Sequence, residues 1–234
     1  MGAPPGMGAP PDMGGTAPGR QPQAARRDLA FRPLVAFDFD GTLTWRDSFQ
    51  AFLIWRCGMR RYGAGLVKLA PAGLGYLRDR DRGKIKAAAI AAFLAGAARG
   101  ELEGQARAFA AQRARSLLRP DAVRAWRRWQ GEGARLVIVT ASPQFLVEPF
   151  GRGLGAECVI GTRLGFDASR RATGELDGLN CRGPEKARRL REAFGQDVRL
   201  EAAYGDSDGD REMLTMTDEP GLKVFGARPR GARP

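Results

Sequence analysis

The chain has no histidine at all. That one absence removes Ser-His-Asp catalysis, imidazole metal ligation and phosphohistidine chemistry, and it leaves carboxylates as the available catalytic bases. Cysteine is nearly missing too. Cys57, Cys158 and Cys181 are odd in number and lack any Cys-x-x-Cys spacing, which argues against a disulfide framework or a zinc site and points to free thiols in a reducing, cytoplasmic setting. Long apolar runs are absent as well: Tyr62 to Leu77 is too short and too glycine-rich for a spanning helix of ~20 residues. Acidic residues are outnumbered, with 26 Asp and Glu against 38 Lys and Arg and a formal charge of +12.

What the chain does have is an apolar run that ends in two acids. Leu34-Val-Ala-Phe-Asp-Phe-Asp-Gly-Thr-Leu-Thr44 reads as a buried strand that delivers Asp38 and Asp40 to its carboxyl end, followed at once by Gly41. In an open α/β sheet the crevice beyond the carboxyl ends of the strands is where ligands bind. A bare Asp-x-Asp is equally well explained as an acidic turn, so the rest of a site has to follow. Three further segments do, in order. Arg135-Leu-Val-Ile-Val-Thr-Ala-Ser142 is a second strand-like run ending in the hydroxyls of Thr140 and Ser142. Gly183-Pro-Glu-Lys-Ala-Arg-Arg-Leu190 starts a helix near Pro184 and sets Lys186 in the first turn, where a cation gains nothing from the helix dipole and a ligand explains it better. Ala202-Ala-Tyr-Gly-Asp-Ser-Asp-Gly-Asp210 is a short strand opening into an acidic loop. A calcium loop is excluded there, because Arg211 stands where an EF-hand needs glycine and Thr217 where it needs glutamate.

In this order the four segments resemble the motifs of the haloacid dehalogenase superfamily, whose members are mostly phosphatases that work through an aspartyl phosphate. The resemblance implies roles at the matching positions. Asp38 is the nucleophile and Asp40 the general acid, then base. Thr140, the backbone amide at Ala141 and Lys186 hold the phosphoryl oxygens. Mg²⁺ is held by Asp38, the Asp40 carbonyl and Asp206, with Asp210 orienting the metal waters. The chemistry asks for such groups: hydrolysis of a phosphomonoester dianion needs acceleration approaching ~10²¹. A carboxylate nucleophile splits that step in two, and a cation offsets the repulsion between anions.

The resemblance narrows further. Asp47-Ser-Phe after the first motif, Thr140-Ala-Ser-Pro143 and Asn180-Cys-Arg-Gly-Pro-Glu-Lys186 look like the subfamily IB hydrolases, which include phosphatidylglycerophosphatase C and phosphoserine phosphatase. Phosphoserine phosphatases carry a Gly-Gly pair where Ala141-Ser142-Pro143 stands here. Asp47 falls where those enzymes place a glutamate that recognises the amino acid, so it is a candidate substrate contact with a shorter reach.

The expected fold is α/β: a Rossmann-like core with a central parallel sheet, a helical cap inserted after the first motif and a small β-hairpin flap. Residues 31–44 and 119–226 form the core and 45–118 the cap, whose Lys84–Phe93 and Glu101–Leu118 read as helices and which breaks near Pro71. The flap is expected over Thr162–Leu176 and a last strand over Leu222–Phe225. Residues 1–30 are rich in Gly, Pro and Ala, lack the apolar segment of a signal peptide and are expected to be disordered; 227–234 read as a solvated tail.

Charge adds a clue to the setting. From Trp45 to Gly100 eleven cations face three acids, a surplus of eight, so the cap is the basic part of the chain. Together with Trp55 and the run Tyr62–Leu77, this allows peripheral contact with an anionic membrane, at the inner face of a cytoplasmic membrane. The alternatives are a cap core with solvated arginine faces, and, in another class, a basic membrane or nucleic-acid binder without turnover. No nucleic-acid fold signature accompanies the charge. Within enzymes, the reaction is left open between a phosphatase and a phosphotransferase, and the substrate between a phosphatidylglycerophosphate-like lipid and a soluble phosphomonoester of phosphoserine type.

Overall fold

The structure, a computed structural model, describes Gly2, residues 32–68 and residues 82–231. The chain divides into two compact units, Met1–Arg32 and Pro33–Pro234. The disordered segment expected over residues 1–30 and the break at Pro71 lie outside the described residues, apart from Gly2.

The second unit is built on a five-stranded sheet, all of whose pairings are parallel. Its strands are β1 (Leu34–Phe37), β2 (Arg135–Pro143), β3 (Cys158–Thr162), β6 (Ala202–Gly205) and β7 (Pro220–Leu222), in the order β3-β2-β1-β6-β7. β1 is buried along its whole length, as a continuous Leu-Val-Ala-Phe run in a sheet covered on both faces requires. It is also the switch point: the chain goes from β1 out to β2 and β3 on one side, and later to β6 and β7 on the other. A crevice opens beyond the carboxyl end of such a strand.

Helices cover the sheet. α4 (Pro120–Gly131) buries Trp126 against Phe37, with ring centroids 5.0 Å apart, and Trp126 donates its indole N–H to the Leu154 carbonyl. α5 (Gln144–Leu154), α6 (Pro184–Phe194) and α7 (Arg211–Leu214) complete the core. Between β3 and α6 the strands β4 (Leu164–Phe166) and β5 (Ala172–Leu176) form an antiparallel hairpin, as the runs on either side of Asp167–Arg171 predict. β7 lies two to three residues earlier than expected: Pro220 pairs with Ala203 and Leu222 with Gly205.

Among the described residues, three helices are inserted between β1 and α4: α1 (Ser48–Lys68), α2 (Arg82–Leu94) and α3 (Arg99–Leu117). The chain leaves and re-enters the core side by side. Trp45 N–H donates to the Leu117 carbonyl, Arg119 N–H to the Leu43 carbonyl, and Thr44 bridges Leu118. Phe52 stacks edge-on against Phe109 within the insertion and against Phe145 of α5, so the insertion shares its apolar core with the sheet layer. α1 is kinked at Gly58, whose φ of 78° breaks the helical path.

The end of the chain is more ordered than its composition suggests. Gly226 and Ala227 amides both donate to Asp121 at 2.8 Å, Arg119 donates to the Ala227 carbonyl, and Arg228 lies over the Trp45 ring. The expected solvated tail is therefore anchored as far as Arg228 by Asp121 of α4, Arg119 just before it and Trp45. Two backbone amides that share one carboxylate fix that segment where composition alone shows only Gly, Ala, Arg and Pro.

Candidate active site

The acids singled out from the sequence meet at the end of β1. Asp38 follows the strand directly, its N–H donating to the Tyr204 carbonyl of β6, and the residue is 6 % exposed. Lys186, in the first turn of α6, reaches across with its Nζ 2.5 Å from Asp38 Oδ1, 2.6 Å from Asp210 Oδ1 and 2.7 Å from the Val139 carbonyl of β2. One ammonium thus ties together the ends of β1, β2 and the loop after β6. Burial alone would lower the Lys186 pKa, but Asp38 and Asp210 hold it well above the ordinary lysine value.

Asp206 completes the cluster. Carboxylate oxygens of Asp38, Asp206 and Asp210 lie within 4.8 Å of one another. Gly41 makes this approach feasible: its φ is +86°, and a Cβ there would occupy the space of the Asp206 carboxylate. Asp210 is fully engaged. Its Oδ1 accepts from Lys186, and its Oδ2 accepts the Asp206 and Ser207 amides and the Ser207 hydroxyl. Burial would raise its pKa, and Lys186 with these donors brings it below the usual carboxylate range. Asp38 has the opposite balance. Burial pushes it up to about 7, Lys186 draws it down, and Asp210 and Asp40 add to the rise. Lys186 is bonded to two of the three carboxylates, Asp38 and Asp210, and burial leaves Asp38 the one whose charged form is disfavoured.

Asp40 is braced on both oxygens. Oδ1 accepts the Ser48 amide at 2.7 Å and the Thr44 hydroxyl at 3.4 Å, and Oδ2 accepts the Ser142 hydroxyl. Thr140 is buried at the end of β2, where its hydroxyl accepts the Ser142 amide at 3.0 Å. The Ala141 carbonyl accepts from the Thr162 hydroxyl at 2.7 Å and from Lys86 Nζ at 2.8 Å. Asp47 accepts the Gln50 amide at 2.7 Å and so caps α1, at the mouth of the same crevice.

Asp38, Asp40, Asp47, Lys86, Thr140, Ala141, Lys186, Asp206 and Asp210 border one cavity of about 720 Å³. Its floor is polar, formed by Asp38, Asp40, Thr140, Lys186, Asp206 and Asp210. Its other wall comes from the insertion and is largely apolar: Phe49 and Leu53 from the first half of α1, Tyr62 and Leu66 beyond the kink, Ile85 and Phe93 from α2.

A family model described as haloacid dehalogenase-like hydrolase matches residues 35–215, a span that holds all four motifs. The chain belongs to the haloacid dehalogenase-like hydrolases. Protein CicA of Caulobacter vibrioides is 58 % identical over 196 residues, covering 84 % of this chain and 88 % of that protein. A protein of unknown function from Bordetella pertussis has a crystal structure that superposes with a TM-score of 0.65 at 25 % identity, over 81 % of this chain and 88 % of that one. A substrate-bound phosphoserine phosphatase superposes with a TM-score of 0.56 at 17 % identity, over 82 % and 85 %, which is a likeness of fold.

Within this hydrolase fold, the site contacts of three residues escape a reading of local sequence. Ser142 reaches back 102 residues to Asp40, Lys86 comes from the insertion to the end of β2, and Arg182 enters the cavity from the loop before α6. Lys86 is held below the ordinary lysine pKa by burial, which Asp40, Asp47 and Asp38 partly offset. The only signal for them was indirect: Ser142 and Arg182 stand inside the motif strings, and Lys86 is one cation among eleven in a basic stretch.

Proposed function

We propose that the protein is an Mg²⁺-dependent phosphomonoester hydrolase that works through an aspartyl phosphate on Asp38 and takes a phosphatidylglycerophosphate-like lipid head group at the face of an anionic membrane. The observation that carries the reaction is the Asp38–Lys186–Asp210 arrangement with Asp206 beside it, at the switch point of the sheet.

The residues fit a hard divalent cation. The donors are all oxygen, the three carboxylates exceed the one ammonium, and the raised pKa of Asp38 marks where positive charge is wanting. Asp38, the Asp40 carbonyl and Asp206 would hold it, with Asp210 bracing the loop that carries Asp206. When bound, the cation supplies charge neutralisation for the phosphate dianion.

The chain's own groups account for the remaining steps. An Asp38 carboxylate oxygen attacks phosphorus as the ester P–O bond breaks, and Asp40 gives its proton to the departing alkoxide. Water then attacks the aspartyl phosphate, Asp40 takes the proton back, and inorganic phosphate leaves with Asp38 regenerated. Thr140, the backbone at Ala141 and Lys186 stabilise the phosphoryl oxygens as charge spreads over them.

The apolar wall from α1 and α2 supports a substrate with an apolar body, and it separates this reading from a phosphoserine-type substrate, which offers none. Membrane contact falls to Arg60 and Arg61, which are exposed beside Met59 (66 % exposed) and Val67 (74 %). Arg56, the third arginine of that stretch, serves the fold instead: it binds Gln105, Glu101 and the Phe93 carbonyl. The rest of the apolar run, up to Leu77, lies outside the described residues, and among the described residues no helix is long and apolar enough to cross a membrane.

Assaying the protein with Mg²⁺ on phosphatidylglycerophosphate, phosphoserine and sugar phosphates tests the proposal. Turnover is expected on the lipid phosphomonoester and is expected to vanish in chelator and in Asp38→Asn. Full rate in excess chelator removes the metal, and turnover by a folded Asp38→Asn protein removes the nucleophile.

A further inference from the structure

We propose that Arg182 is a specificity-determining residue that binds a second anionic group of the substrate, separate from the phosphate that is removed. This rests on the phosphatase reading above and names the substrate class of that site: a phosphomonoester that also carries a phosphodiester or a carboxylate.

Arg182 is placed by the backbone around it. Its N–H donates to the Asn180 carbonyl at 2.7 Å, and its guanidinium lies against Gly209, so close that a Cβ on that residue would overlap it. The glycine therefore admits the arginine to the turn that carries Asp208 and Asp210. From there Arg182 borders the active cavity, half-buried. Arg46 also borders the cavity, its guanidinium over the Trp45 ring, and three further basic groups there are engaged by protein oxygens. Lys186 has two carboxylates and a carbonyl, Arg119 binds the carbonyls of Gly41, Thr44 and Ala227, and Lys86 binds the Ala141 carbonyl. Among the described residues the Arg182 side chain has no hydrogen-bond or ion-pair partner.

An arginine lodged in a cavity wall with its five donors unspent is poised for an anion, and its planar fork matches a phosphate or carboxylate edge-on. The phosphoryl group undergoing transfer already has its own set in Lys186, Thr140 and the Asp38 end of β1. A cavity of about 720 Å³ holds far more than one phosphate. With Lys86 as a further cation and the apolar wall beyond it, the space suits a substrate with two acid groups and an apolar remainder.

The test compares kcat/KM of wild type, Arg182→Gln and Arg182→Lys, with Mg²⁺, on three substrates that release phosphate from a primary alcohol. Glycerol 3-phosphate has no second anion, 3-phosphoglycerate adds a carboxylate, and glycerophosphoglycerol phosphate adds a phosphodiester. Wild type is expected to prefer at least one doubly anionic substrate. On that substrate Arg182→Gln is expected to lose about 10–100-fold, mostly in KM, the usual worth of a hydrogen bond to a charged group. The loss on glycerol 3-phosphate is expected to be much smaller, and Arg182→Lys should recover part of the difference. Whichever substrate shows the selective loss identifies the second anion. Equal loss on all three, or a wild type with no preference, overturns the inference while leaving the phosphatase reading intact. No turnover of any of the three by wild type overturns both. Unchanged melting temperatures for the two variants keep the kinetic losses from being read as unfolding.

Discussion

Asp38 works against the fold that holds it. Its carboxyl titrates near 3.8 in an unfolded chain and is pushed up to about 7 in the folded one, chiefly by burial. The folded state therefore binds this proton more tightly. The resulting stability is fully present below pH 3.8 and is lost as pH rises through about 7. Asp38→Asn is neutral at every pH and keeps an oxygen for Lys186. In metal-free protein at pH 8 the variant is expected to be more stable than wild type by at most about 4 kcal/mol, a ceiling in which the attraction of Lys186 for the Asp38 carboxylate is already counted. Adding Mg²⁺ should stabilise wild type more than the variant, since only the former offers the Asp38 carboxylate. Thermal melts with and without metal read both effects, and a wild type more stable than Asp38→Asn in chelator overturns the burial penalty. Such a residue is legible in sequence because a strand ending in Asp-x-Asp-Gly is a local pattern. Ser142, Lys86 and Arg182 are not, because what makes them site residues is a partner or a cavity far away in the chain.

At the scale of elements, local chemistry decides what can be read. β1, β2 and β6 are short apolar runs with abrupt polar ends, and α4 and α6 begin with proline in the first turn, a position that suits its fixed φ and missing N–H. These elements appear where the sequence places them. β7 is displaced because its three residues take their register from β6 and carry no alternation of their own. α6 also holds a structural pair within the turn that carries Lys186. Glu185, next to Lys186, is buried and binds Arg188 and Arg189, with Arg189 continuing to the Gly161 and Leu179 carbonyls. These arginines, Arg188 first, hold the Glu185 carboxyl down to about 2 from an ordinary 4.5. The folded pKa is depressed, so the stabilisation is present above pH 4.5 and is lost as pH falls through about 2. Glu185→Gln is expected to lower the melting temperature at pH 7 and to flatten the acid limb of the stability profile between those two values. An acid limb identical to wild type assigns that proton uptake to other carboxylates.

The whole molecule carries a formal charge of +12, and its distribution gives the charge a use. The floor of the cavity is acidic, whereas the surplus of cations in the sequence belongs to the insertion, where Arg46 and Lys86 border the cavity and Arg60 and Arg61 are exposed. Arg60 and Arg61 follow the kink at Gly58, on the half of α1 whose Tyr62 and Leu66 line the cavity and whose Met59 and Val67 face solvent. That juxtaposition puts exposed apolar and basic groups beside the cavity mouth, the arrangement an enzyme needs if its substrate stays in a bilayer. A basic residue near an anionic leaflet contributes about 1 kcal/mol, so neutralising both arginines as Arg60→Gln and Arg61→Gln is expected to weaken binding to anionic vesicles by roughly 30-fold at low salt. The difference between wild type and variant should shrink as ionic strength rises, because at 0.1 M salt the screening length is about 10 Å. Neither side chain belongs to the catalytic floor, so hydrolysis of a soluble chromogenic phosphate should fall far less than hydrolysis of the vesicle-borne lipid. Sedimentation with vesicles and parallel rate measurements on the two substrates separate the cases. Equal loss on both, or no vesicle binding by wild type at low salt, moves the substrate to the aqueous phase and leaves the basic insertion as a solvated surface.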